Sequence, residues 1–462
     1  MFSKETYIAR RNQLKKDLKS GIVLFAGNND APFNYPNNTY KFRQDSNFLY
    51  FFGLNKAGYF GVIDIDNDKD YIFANDIDMD DIIWMGYLPT VSDLATTIGV
   101  ENVQPLHELP VFLKDAIDKR RSIHFTKPYR ADITITLSEL LGLKLNAVND
   151  YASEELALAI IAQRSVKSKE EIAEIEKAML IAYEMQTTAM KMAKDDSLFE
   201  HHIAGKVEGI TLEHDGNVSF PVICSQDGQT LHNHHHANKL EKGRLLLLDC
   251  GAELPNNYCS DTTRTFPVGG KFTKKQAEIY QIVLDANMKA IEMARPGILY
   301  KDVHIAACEV IAEGLTRLGL MKGNPKKAVE AGAHALFMVH GLGHFMGLDV
   351  HDMENLGEKL VGYDKTVERS NKFGLAFLRF ARELKPGFVI TDEPGIYFIP
   401  QLIEQWENEG KFTQFINYNK VKEYLDFGGI RIEDDLLITE TGCRVLGKPI
   451  PKTIDEIEQW MA

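Results

Sequence analysis

No stretch of this 462-residue sequence stays apolar long enough to cross a bilayer; its densest apolar clusters, such as Leu245 to Leu248, have the length of a strand. The opening residues, MFSKETYIARRNQLKK, alternate charge with single apolar side chains, so no signal peptide is expected. Cysteine is scarce. The five residues Cys224, Cys250, Cys259, Cys308 and Cys443 are odd in number and show no CxxC spacing. Neither a disulfide framework nor a structural zinc site fits them, and small core residues in a reducing, cytoplasmic setting are expected. Basic residues are outnumbered, 52 against 66 acidic, for a formal net charge of −14. Nucleic acid and membrane surfaces, which need a basic footprint, are therefore not expected partners. Low-complexity segments and short-period repeats are also missing. What remains is the balance of a globular protein, over a length that implies two or three domains.

The first third reads as alternating short strands and helices. Gly21 to Gly27 (GIVLFAG) is an apolar run bounded by turn residues, hence a buried strand. Tyr59 to Ile65 and Tyr71 to Ala74 predict a hairpin around Asp66-Asn67-Asp68-Lys69. The alternating aspartates 64, 66, 68 and 70 miss a calcium loop: counted from Asp64, Lys69 stands where Gly is required and Asn75 where Glu is. A solvated acidic turn is expected instead. Ser168 followed by Glu171 forms a capping box, and Ile172, Ile175, Ala178 and Met179 continue at helical spacing. A long helix opening a second domain is predicted there, with further helices near Lys274–Ala294 and Tyr300–Gly319.

Four apolar segments end in acid. LLLLD delivers Asp249, and Asp261 follows twelve residues later across Gly251 and a Pro255-Asn256-Asn257 turn. A hairpin there would bring both carboxylates together. VITDEPG adds Glu393, and GIRIED adds Glu433. Any one of these could be a strand-end residue facing water, but that reading must hold four times. It must also ignore VHGLGHFMGLDVHD, which carries His340, His344 and His351. Gly341 and Gly343 disfavour a zincin-like helix, so a loop or strand that lets backbone approach a ligand is expected. Four unpaired buried carboxylates would be costly or protonated; two divalent cations would neutralise them. An oxygen-rich set with one imidazole favours manganese. Two such ions about 3.5–4 Å apart would share and acidify a water and clamp a carbonyl oxygen.

At these residues the sequence resembles the creatinase, prolidase and methionine-aminopeptidase group with the "pita-bread" fold. The resemblance runs through LDCGAE, SDTTRTF, HGLGH, DEPGIY and RIEDD, in that order. It implies that Asp249, Asp261, His344, Glu393 and Glu433 are the metal ligands, with Asp261 and Glu433 bridging. Asp249 would complete one site, and His344 with Glu393 the other. The proline-specific branch also implies catalytic or substrate-contacting roles for His232 in TLHNHHH, for His340 and for His351; Glu393 is placed with the catalytic residues as well. His234, His235 and His236 are expected in a solvated loop. FRQDSNFLYFFG, residues 42–53, is similar to the signature of aminopeptidase P and prolidase N-terminal domains. The implied architecture is α+β: a creatinase-type α/β N-terminal domain with a mixed sheet, residues 1–160. A catalytic domain follows, 161–462, with a curved, mainly antiparallel sheet covered by helices.

Arg379 stands fourteen residues before Glu393 and resembles the arginine with which prolidases hold the free carboxylate of an Xaa-Pro dipeptide. Arg431, two residues before Glu433, would share its strand face and orient that carboxylate or help bind substrate. The resemblance thus favours hydrolysis of Xaa-Pro dipeptides, with an aminopeptidase acting on longer Xaa-Pro peptides as the alternative. A non-catalytic binding module and a metal-free creatinase-type hydrolase are the rivals from other classes. A homodimer is expected, since such N-terminal domains often serve dimer contacts.

Overall fold

The computed structural model describes residues 2–462, which divide into two units. One runs to Arg164 and takes in Asn355–Gly357; the other holds Ser165–Glu354 and Glu358–Ala462. Among the described residues no helix is long and apolar enough to cross a membrane.

In the first unit, β1 (Ile22–Ala26), β2 (Phe60–Asp64), β3 (Lys69–Phe73), β4 (Asn102–Gln104) and β5 (Ile123–His124) form one sheet in the order β4-β3-β2-β1-β5. The pairs β1–β2 and β2–β3 are antiparallel, while β1–β5 and β3–β4 are parallel. The sheet is therefore mixed, as the resemblance implied. One face buries Leu24, Val62 and Phe73 against Leu113 and Leu137 of the helices Leu109–Asp118 and Ala131–Leu141. The other face receives the helix Ser46–Phe52, whose Phe51 ring lies 4.9 Å from Phe25. Asp45 caps that helix by accepting from the N–H groups of Asn47 and Phe48, and Gly53, at φ +65°, ends it. The expected hairpin is present in the register Asp64↔Lys69, but its aspartates are not all solvated. Asp64 is buried in an ion pair with Arg121, and Asp70 pairs with Arg11 and Lys15. Those cations come from distant segments, which local sequence does not announce.

The second unit opens with the helix Lys169–Met192. Ser168 accepts from the Glu171 N–H and the Glu171 carboxylate accepts from the Ser168 N–H, completing the capping box. Ten strands follow: β6 (Asn217–Val218), β7 (Ile223–Ser225), β8 (Leu245–Cys250), β9 (Ala252–Glu253), β10 (Thr262–Pro267), β11 (Val389–Asp392), β12 (Gly395–Tyr397), β13 (Gly429–Arg431), β14 (Asp434–Ile438) and β15 (Cys443–Val445). All their pairings are antiparallel, in the short ladders β10-β8-β7, β11-β14-β15, β12-β13 and β6-β9. The β11–β14 and β12–β13 pairs keep one register, with Asp392 opposite Asp434 and Gly395 opposite Arg431. They are one ribbon, interrupted where residues 393–394 face residues 432–433. Pro394 has no N–H to give the ladder, although its carbonyl still accepts from Ile432 at 3.3 Å. Helices Lys274–Met293 and Tyr300–Arg317 pack on each other. On the long first helix, buried Gln186 donates to the carbonyls of Thr262 (2.8 Å) and Leu248 (3.3 Å), pinning β8 and β10 to it.

Candidate active site and metal centre

Asp249 lies near the end of β8, after four buried leucines, and Asp261 immediately precedes β10. Glu393 and Glu433 stand in the interruption of the ribbon, where the side chains leave the regular ladder. His344 belongs to an irregular loop, as its glycines required: a Cβ at Gly343 would lie 2.1 Å from the Thr391 carbonyl. All five residues line one cavity of about 810 Å³, and so do His232, His340, His351, Arg379 and Arg431. Every site residue named from sequence meets in this one space.

The carboxylates are crowded and largely buried. One ligating atom each from Asp261, His344 and Glu433 lie within 4.8 Å of one another. His344 Nε2 is 3.5 Å from Asp261 Oδ2 and 3.9 Å from Glu393 Oε1. Burial, then mutual repulsion, drives Asp261 and Glu433 well above the usual carboxylate range. Burial also raises Asp249, against the pull of Arg431. Arg431 itself would be lowered by burial, but Tyr397, Asp249 and Glu433 hold it firmly charged. It donates to Thr263 Oγ1 (3.1 Å), to Tyr397 Oη (3.0 Å) and to Asp249. Thr263 in turn donates to Glu433 at 2.7 Å.

These groups fit divalent cations. The Oδ1 atoms of Asp249 and Asp261 are buried without a hydrogen-bond partner among the described residues. His344 Nδ1 lies 2.8 Å from the Phe345 carbonyl, which holds its proton and leaves the Nε2 lone pair facing Asp261 and Glu393. The Asp261 N–H donates to Asp435, fixing the backbone beside the carboxylate.

Around this centre the histidines are held neutral. Burial lowers His340, His351 and His232. His340 Nδ1 donates to the Gly341 carbonyl (2.7 Å), so Nε2 accepts from Tyr397 Oη at 2.8 Å. The His351 ring sits 4.1 Å from that of His344, with Glu354 3.4 Å from its Nδ1. Glu354 also takes Arg379, at 2.7 Å. His234 lines the cavity as well, and His236 Nε2 donates to the Val222 carbonyl, so the histidine-rich stretch is not uniformly the solvated loop expected. Sequence reasoning passed over Tyr397, Thr263 and Glu354. Tyr397 and Thr263 lay inside the motifs themselves, the tyrosine of DEPGIY and the second threonine of SDTTRTF; Glu354 had no local signal.

A sheet cut open at two glutamates, with buried carboxylates and an imidazole at the break, defines the pita-bread class of metal-dependent hydrolase. The chain belongs to metallopeptidase family M24, whose model matches residues 173–440. The aminopeptidase P N-terminal domain model matches residues 7–124. The chain is 30% identical to an Xaa-Pro dipeptidase of Homo sapiens, over 96% of this chain and 88% of that one. It is 31% identical to a "Probable Xaa-Pro aminopeptidase" of Fusarium vanettenii, over 96% and 90%. Aminopeptidase P from Escherichia coli, solved with the inhibitor Pro-Leu, superposes with a TM-score of 0.80 at 27% identity, covering 100% of this chain and 98% of that one. The protein is a metallopeptidase.

Proposed function

We propose that this metallopeptidase cleaves the peptide bond preceding proline, with Xaa-Pro dipeptides as its preferred substrates. The observation that carries the reading is the shared position of Arg379 and the carboxylate cluster on one cavity. A guanidinium there suits the free carboxylate of a C-terminal proline. Apolar walls, among them Phe220, Ile399 and Phe377, suit the proline ring. Relatives bearing both the dipeptidase and the aminopeptidase name are consistent with this substrate class.

In this reading Asp249, Asp261, His344, Glu393 and Glu433 hold two divalent ions, most suitably manganese given the oxygen-rich donor set. Such ions, when bound, acidify water and polarise the scissile carbonyl. The chain's own residues do the rest. Glu393, the most exposed of the five, with 20% of its side chain open, holds and passes a proton at its carboxylate. His351, its Nδ1 proton held by Glu354, donates to the developing oxyanion once Nε2 has taken up a proton, and His232 contacts the peptide at the cavity wall. Arg431 has its donors directed at Asp249, Thr263 and Tyr397, so it positions the ligands and, through Tyr397, steadies His340. The residues 1–160 act as the N-terminal domain and 161–462 as the catalytic one, in a cytoplasmic homodimer. The helix Met79–Met85, with Ile83, Trp84 and Met85 exposed, supports a subunit contact in the N-terminal domain.

The test is a paired assay with manganese added. Xaa-Pro dipeptides should be cleaved faster than Xaa-Pro-Yaa tripeptides of matched sequence. A wide preference for the tripeptides would replace this reading with an aminopeptidase.

A further inference from the structure

Outside the catalytic cavity, one cluster of ligating side chains has no part in the reading above. His304 and Cys308 lie four residues apart on the helix Tyr300–Arg317, and so on one face of it. His334 comes from the 3₁₀ turn Ala333–Leu336. The three offer one ligating atom each within 4.8 Å of one another. Cys308 Sγ is 3.6 Å from His304 Nε2 and 3.9 Å from Met338 Sδ. Sulfur and nitrogen bound to a single ion at about 2.3 and 2.0–2.1 Å sit about 3.5–3.8 Å apart. All four residues are buried, none more than 4% exposed. His334 Nδ1 is buried with no hydrogen-bond partner among the described residues, a costly state that a ligand would relieve. Burial pulls His304 down to about 3 and His334 to about 4, so both imidazoles keep a lone pair at neutral pH. It pushes the Cys308 thiol up, so sulfur keeps its proton until an ion displaces it.

We infer that His304, Cys308 and His334, with Met338 as a weaker fourth ligand, bind a single copper(I) ion. Two arguments select that ion. Thiolate and thioether sulfur are soft donors that favour it. A monovalent ion on one thiolate also leaves a neutral site, whereas a divalent ion would leave net charge in a dry cluster that holds no carboxylate. Binding breaks the Cys308 S–H bond, forms a sulfur–metal bond and releases one proton to solvent, with no change of oxidation state. The ion would tie the helix Tyr300–Arg317 to the segment that runs into His340 and His344, bracing one wall of the cavity.

The experiment is an anaerobic titration of the full-length, manganese-loaded protein with copper(I) against a colorimetric copper(I) chelator. One equivalent should be taken up with release of one proton. Cys308→Ser and His334→Asn should each weaken that uptake at least tenfold while leaving manganese content unchanged. X-ray absorption at the copper edge of the wild-type protein should report sulfur and imidazole nitrogen bonded to the metal. No uptake by the wild type, uptake undiminished in both variants, or a spectrum of nitrogen and oxygen alone would each overturn the assignment. The wild-type spectrum decides the matter even where a variant fails to fold.

Discussion

Asp261 lies beside His344, repels Glu433, and has its N–H anchored by Asp435. Asp261→Ala is expected to abolish peptidase activity and remove most bound metal, measured by elemental analysis; full activity with normal metal would refute the ligand set. His351 stands in a different position, oriented by Glu354 and against the His344 ring. His351→Ala should lower turnover by roughly two orders of magnitude, the scale of losing an oxyanion donor, with metal content nearly intact. In the proposed reading, Arg379 sets substrate length by holding the carboxylate of a dipeptide. Removing it strips a charge-assisted pair from a dipeptide's carboxylate, while a tripeptide has an amide at that point. Arg379→Ala should weaken Xaa-Pro dipeptide cleavage by ~10–100-fold, or ~1.5–3 kcal/mol, and tripeptide cleavage far less. Because Arg379 also pairs with Glu354, equal losses on both substrates would mark it as a support for His351 instead.

At the level of elements, the decisive feature is a ribbon that keeps its register while breaking its ladder. Pro394 withholds an N–H where two glutamates line the cavity, so a local defect in pairing becomes the placement of two carboxylates. The Asp64–Arg121 pair shows the same economy in the first unit, where a hairpin turn is tied to the strand end at β5. Burial opposes the charge on Asp64, but hydrogen bonds from Arg121 and Asn67 prevail and hold its carboxyl below the usual range. Its folded value is depressed, so the stabilisation is present above the unfolded value of about 3.9 and is lost as pH falls through the folded one. Asp64→Asn should cost about 1–3 kcal/mol at pH 7, and the gap in thermal unfolding between variant and wild type should close as pH drops toward about 3. A gap that stays constant with pH would show that shape, not charge, matters there.

Across the whole molecule, the proposed ligand set implies that the carboxylate cluster couples stability to metal and to pH. In metal-free protein, burial and mutual repulsion hold Asp249, Asp261 and Glu433 above the ordinary carboxylate range. Raised folded values favour the folded state fully below about pH 4, and that contribution is lost as pH rises through them. Cations bind the ionised forms, so metal affinity runs the other way. The rise in melting temperature on adding manganese should therefore be large near pH 8 and shrink steadily toward about pH 5. A metal-induced rise that does not change over this range would mean that the cluster is ionised without metal.

What could be read without a structure was whatever a few neighbouring residues decide. The Ser168–Glu171 capping box and the helix it starts, and the non-helical path imposed by Gly341 and Gly343, are local in origin, and both appear where the pattern places them. Asp249, Glu393 and Glu433 were visible because an apolar run leading into a carboxylate is unusual; Asp261, which precedes its strand, was visible from its spacing to Asp249 across a turn and from the SDTTRTF motif. Hidden from sequence were the partners that only long-range packing supplies. Arg121 reaches Asp64 across 57 residues, Thr263 reaches Glu433 across 170, and Arg431 reaches Asp249 across 182. Hydrogen bonds of that span follow from strand register and helix packing, which no window of sequence contains. The tertiary structure alone therefore decided which oxygens remain unpaired and how far burial shifts each acid.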